Sequence, residues 1–210
     1  MSMRAKLILL TLVSVLSVAV LAAVSFFAVS NLNKLVEDSA AYSELRTLSN
    51  QDPDLLVIHS QVLLTLQHDP NNPETLALHD HGEQMHFDHI ARHREMIEKR
   101  LANYEVHRMA QEFNQDYQNL NQALTQYLSG IDEVIELFKQ DRYHQANVFL
   151  LQQLNPWSQE ALKQGRALRM AILKKGNLIE AEASTYSTWV ERLIIVVSGL
   201  VLLALTILAA

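Results

Sequence analysis

The chain has 210 residues, with 23 acidic and 17 basic side chains for a formal charge of −6, no cysteine, five glycines and four prolines. That acidic balance excludes a nucleic-acid binder, because a phosphate backbone calls for a basic surface. Without cysteine there is neither a disulfide nor a thiolate metal site, so any folded domain must be held by burial of apolar side chains.

Leu7 to Val29 runs 23 residues without a charge, and Leu193 to Ala210 runs 18. Crossing about 30 Å of hydrocarbon takes roughly 20 helical residues, so both segments are long enough to span a membrane, the second narrowly. Arg4 and Lys6 precede the first segment, while Lys34, Glu37 and Asp38 follow it. The positive-inside rule then keeps the N-terminus in the cytoplasm and exports what comes next. Tyr186 and Trp189 stand just before the second segment, where amphipathic rings favour the headgroup layer. Ala28-Val29-Ser30 offers an alternative as a signal-peptide cleavage site. The apolar stretch exceeds the roughly 7–15 residues of a signal core, which favours an uncleaved anchor. The expected organisation is residues 1–6 cytoplasmic, 7–29 and 193–210 transmembrane, and 30–192 exported with a net charge of −8.

Between the spans apolar residues recur at three- and four-residue steps and strand-like alternation is absent, which predicts an all-α domain. Leu32, Leu35, Tyr42, Leu45 and Leu48 begin a first helix, and Leu55, Ile58, Val62 and Leu66 carry it on. Asp52-Pro53 predicts a kink or brief restart there, with Asp52 as the cap. His68 to Pro73 reads as a turn, with Asn72 capping a second helix that has Pro73 in its first turn. The apolar line of that helix is Leu76, Phe87, Ile90, Ile97, Leu101 and Tyr104. A break within 102–108 lets the chain reverse. The third stripe follows through Phe113, Tyr117, Leu120, Leu124, Tyr127, Leu128, Ile131, Val134, Ile135 and Phe138. After a polar turn at 139–142, Tyr143 to Leu154 restarts, Asn155-Pro156 marks a capped kink, and a helix from Trp157 enters the second span. Four long helices joined by short turns predict an antiparallel up-down-up-down four-helix bundle continuous with two transmembrane helices.

This arrangement resembles the sensory half of a bacterial methyl-accepting chemotaxis protein. The resemblance rests on the basic start Met3-Arg4-Ala5-Lys6 and on the exit Asn31-Leu32-Asn33-Lys34-Leu35. It rests also on the turn Phe138-Lys139-Gln140-Asp141-Arg142-Tyr143-His144-Gln145-Ala146, with Leu154-Asn155-Pro156 beyond, and on the span Val196 to Ala204. It implies a homodimer in the bacterial inner membrane whose periplasmic domain binds a small molecule or a periplasmic binding protein. It also implies a HAMP domain, methylatable helices and a kinase-coupling tip beyond the second span, so that the 210 residues are the front part of such a receptor. In the family the ligand sits between two bundles on arginines of the first helix. Here only Arg46 lies between Lys34 and Arg92, and the familiar pocket is not carried over. The ligand-binding residues are therefore open. The same bundle can serve as the input domain of a sensor histidine kinase or diguanylate cyclase, and a stand-alone two-span metal-binding or interaction protein is a further alternative.

Of nine histidines, five fall in the second-helix region: His79, His81, His86, His89 and His93. On a helix His86, His89 and His93 lie within about 60° of one another, and imidazoles at i, i+4 suit zinc, copper or nickel. They are the candidate metal ligands. A packing role competes, because two ligands on one helix need more from elsewhere to hold a metal tightly. A pH-sensing role rests on the same residues. No cofactor is otherwise expected, and no Cys-x-x-Cys-His haem attachment occurs. The basic group Arg92, Arg94, Lys99, Arg100 and Arg108 alternates with Glu95, Glu98 and Glu105, which predicts a solvated face of paired charges. Arg166, Arg169, Lys174 and Lys175 invite the same reading. The aromatics Tyr104, Phe113, Tyr117, Tyr127 and Phe138 are expected in the core or on a dimer face. No nucleophile motif or phosphate-cradling loop is present, so no enzymatic activity is expected.

Overall fold

The computed structural model describes residues 3–78 and 80–209, with the side chains of Lys6, Leu208 and Ala209 left undescribed. Met1 and Ser2 of the expected cytoplasmic stretch, His79 of the histidine group and Ala210 of the second span lie outside the described residues. Among the described residues seven α-helices follow one another: α1 Met3–Leu48, α2 Asp52–Thr65, α3 Pro73–Leu76, α4 Gln84–Glu105, α5 Asn114–Lys139, α6 Tyr143–Phe149 and α7 Asn155–Ala209. Among the described residues there is no strand, so the chain is all-α.

Two compact units divide the chain. The first comprises Met1–Ala40 with Lys175–Ala210, the second Ala41–Lys174. In the first, Asn31 Nδ2 donates to Tyr186 Oη at 3.1 Å and Ser39 Oγ to Glu180 Oε1 at 3.2 Å, so the two helices lie side by side. α1 and α7 each contain a stretch long and apolar enough to cross a membrane, and neither stretch is buried in the protein. Leu7, Leu16, Phe26, Ile195 and Leu202 point outward from them.

The second unit carries the core. α1 ends at Leu48 and the chain restarts at α2, where Gln51 rather than Asp52 occupies the cap position and Pro53 sits in the first turn. Asp52 is drawn instead to Arg169, whose guanidinium grips both carboxylate oxygens. α2 buries Leu55, Ile58 and Val62 against α4 and α5. The expected second helix forms in two pieces. Asn72 caps α3 by accepting from the Thr75 amide, but α3 ends after one turn and Leu76 is exposed rather than in the core. Gly82 and the polar residues before it break the pattern, and α4 restarts at Gln84 with Phe87, Ile90, Ile97 and Tyr104 buried.

α5 is the most regular element. Tyr117, Leu120, Leu124, Tyr127, Leu128, Ile131, Val134 and Phe138 recur at helical spacing and all are buried. Gly130 permits the close approach of α7: a Cβ there would meet the Trp157 ring at 2.8 Å. All five aromatics expected inside are buried, with Tyr104 and Tyr117 stacked at 4.7 Å. Proline at 156 does not end the helix, and Asn155 is itself helical rather than a cap. Residues Leu150–Leu154 widen into a π turn between α6 and α7, which absorbs the missing amide donor and the ring's clash with the preceding turn.

Candidate functional site

The candidate site lies where α2 gives way to the loop leading into α4. A tightened turn, Leu66–His68, closes α2, because Pro70 holds Asp69 extended at ψ 115° and the helix cannot continue. Asp69 then folds the loop back by accepting from the Asn71 amide at 2.9 Å. His81 comes from the loop and His86 from the first turn of α4.

These segments bring three imidazoles together. One nitrogen from each of His68, His81 and His86 lies within 4.8 Å of the others. His68 and His86 are 6% and 2% exposed, and Nδ1 of the half-buried His81 is shielded from solvent. Ring centres are 5.1 Å apart for His68–His86 and 5.0 Å for His81–His86, both edge to face, and 5.5 Å for His68–His81. Nε2 of His86 faces Nε2 of His68 at 3.1 Å. Nδ1 of His86 donates to Gln61 Oε1 at 2.7 Å, which places the ring proton on Nδ1 and a lone pair on Nε2. Nearby, Tyr143 Oη donates to Glu83 Oε2 at 2.8 Å and ties the start of α4 to α6. Burial, then the Glu83 acceptor, hold that phenol well above its ordinary pKa, so it stays protonated.

The sequence-predicted trio is not brought together. His86 joins His68 and His81, whereas His93, two turns along α4, donates to Asp54 Oδ1 at 2.7 Å. His89 is half-exposed and outside both groups. Asp54, 2% exposed, also accepts from Arg100, which in turn holds the Asn50 carbonyl at 2.9 Å. Arg100 and Arg169 therefore leave the solvated face expected of them and neutralise the two acidic residues that open α2. Arg94 reaches across to Asp132 at 2.6 Å, with Glu98 a more distant partner at 3.8 Å. Periodicity alone could not find His68, because its partners lie 13 and 18 residues away on other segments. The usable signal was His-x12-His-x4-His with a proline-rich loop between.

A shallow polar groove of about 230 Å³ lies between α5 and α7, lined by Asn119, Gln122, Ala123, Gln126, Glu160 and Gln164. It has neither the burial nor the convergent donors of the histidine cluster. Comparison of the chain with family models, with curated proteins and with solved structures finds no match.

Proposed function

We propose that the chain is the sensory and membrane-spanning part of a bacterial chemoreceptor, a two-pass inner-membrane protein. Its periplasmic domain is an up-down-up-down four-helix bundle that binds a small molecule or a binding protein. In this reading the end of α1 with α2, then α4, α5, and α6 with α7 are the four arms. The signal is a displacement of the last helix.

The observation that supports this best is α7, which is helical from Asn155 to Ala209 and has neither glycine nor proline between Asn177 and Ser198. From Asn177 on, a shift of α7 meets no glycine or proline before the apolar segment. Leu56 and Leu63, exposed and seven residues apart on α2, favour a second copy as partner.

The test begins with topology. The chain has no cysteine, so Gln118→Cys, on the exposed face of α5, reports location with a membrane-impermeant maleimide. Labelling in intact bacteria is expected, and labelling only after lysis would refute export. A Gly-Gly pair inserted after Ser187 in a fusion to a chemoreceptor signalling domain should then abolish output, and undiminished output would refute transmission through α7.

A further inference from the structure

We propose that His68, His81 and His86 form a binding site for one divalent transition-metal ion of the zinc class, with the fourth position open to water or a second molecule. The site goes beyond the sensory reading and stands without it, since it can take an ion whether or not a signal is sent.

Geometry is the first argument. Zinc takes imidazole nitrogens at about 2.0–2.1 Å in a tetrahedron, so two ligand nitrogens sit about 3.3 Å apart. Nε2 of His68 and Nε2 of His86 are 3.1 Å apart, and the third nitrogen lies within 4.8 Å, so a small rotamer shift of His81 completes the triangle. His86 stands edge to face with both neighbours, so the three rings meet without stacking on one another.

The second argument is the shell behind the ligands. Metal-binding histidines usually donate their other ring N–H to a fixed acceptor, which sets the tautomer and raises basicity. Gln61 does this for His86 from the facing surface of α2. The resulting Nε2 lone pair faces Nε2 of the buried His68 at 3.1 Å, a contact that a proton on His68 holds as a hydrogen bond and that a bound ion would take over.

Donor chemistry then selects the metal. Three imidazoles without a thiolate or a ring of oxygens suit zinc, copper(II) or nickel and not calcium or magnesium. Asp69, Asp80 and Glu83, adjoining the ligands in sequence, make the local potential favourable to a cation. Because the ligands come from the turn after α2, the loop and α4, a bound ion would cross-link three segments of the chain.

The experiment titrates the full chain in lipid nanodiscs with Zn2+ against a chromogenic chelator, and with Co2+ while recording its visible absorption. One ion per chain is expected, with the intense visible bands of a low-coordinate cobalt site. His81→Ala, on the loop, should weaken binding by at least about 100-fold, and Gln61→Leu by about 10–100-fold. His89→Ala should leave binding unchanged. Far-UV circular dichroism of each metal-free variant checks that it is folded, and His81→Ala is the deciding variant because its loop position puts least of the core at risk. A folded wild-type chain that takes no Zn2+ or Co2+ overturns the proposal. Binding that survives His81→Ala and is lost in His89→Ala or His93→Ala overturns it equally.

Discussion

Removing the Asp54 carboxylate should be among the most costly single substitutions in the second compact unit. Its side chain is 3% exposed and is gripped by Arg100 and by His93, which are 30% and 21% exposed. Breaking a fully buried ion pair costs about 3–5 kcal/mol, because the partner is left without compensation. Arg100 keeps some solvent and the Asn50 carbonyl, so about 2–3 kcal/mol is the discounted expectation for Asp54→Ala. A domain of this size loses about 3–4 °C per kcal/mol, which converts to a fall of about 6–12 °C in Tm. Thermal melts of the detergent-solubilised full chain by far-UV circular dichroism measure it. Arg100→Ala alone should cost a similar amount, and the double variant less than the two together, since the second substitution removes a charge already stranded. A fall under about 3 °C for Asp54→Ala would show that the carboxylate is solvated, and strict additivity in the double variant that Asp54 and Arg100 are not coupled.

Two other perturbations test the core. Gly130→Ala should destabilise by about 1–3 kcal/mol through overpacking against the Trp157 ring, and Trp157→Leu in the same chain should recover part of the loss in a thermal melt. Burial holds the His59 imidazole below its ordinary pKa of 6.5, against a smaller opposing effect of its hydrogen bond to Asn155. The fold therefore prefers the neutral ring, and the stability this group contributes is present above that value and lost as pH falls below it. His59→Gln should accordingly narrow the gap between the Tm at pH 7.5 and at pH 5.5, and an unchanged gap would refute the assignment.

How much of this was legible depended on distance along the chain. The α5 stripe from Tyr117 to Phe138 needed only a 3.6-residue period, and the structure buries it with little exception. The ends of elements needed local chemistry, and there the reading was mixed. Asn72 caps a helix as its side chain suggests, yet α3 lasts a single turn, and Leu76 and Leu78 at its end are exposed rather than packed. Charges were the least legible. Arg100 and Arg169 carry the same signature as solvated neighbours, and only the fold shows that Asp54 and Asp52 wait for them at the start of α2. The histidines fall between these cases. His86 was visible as a candidate, but its partners lie off its helix, and the helical wheel that pointed to His89 and His93 cannot see across a loop.

The π turn at 150–154 has one more consequence, which concerns register. The buried positions across α6 and α7 are Tyr143, Ala146, Leu150, Leu154, Ser158, Ala161, Gly165, Leu168 and Ile172. From Ala146 to Ser158 they advance by four residues three times running, and in a regular α-helix that spacing would swing the stripe about 120° around the axis. Elsewhere the steps alternate between three and four. The wide turn is thus one surplus residue held as a bulge, and removing an exposed neighbour such as Gln152 would return the whole series to alternating steps. The surplus slides the later half of the series along its own axis by about 1.5 Å without turning it away from α5. It is a spacer in length that leaves orientation untouched.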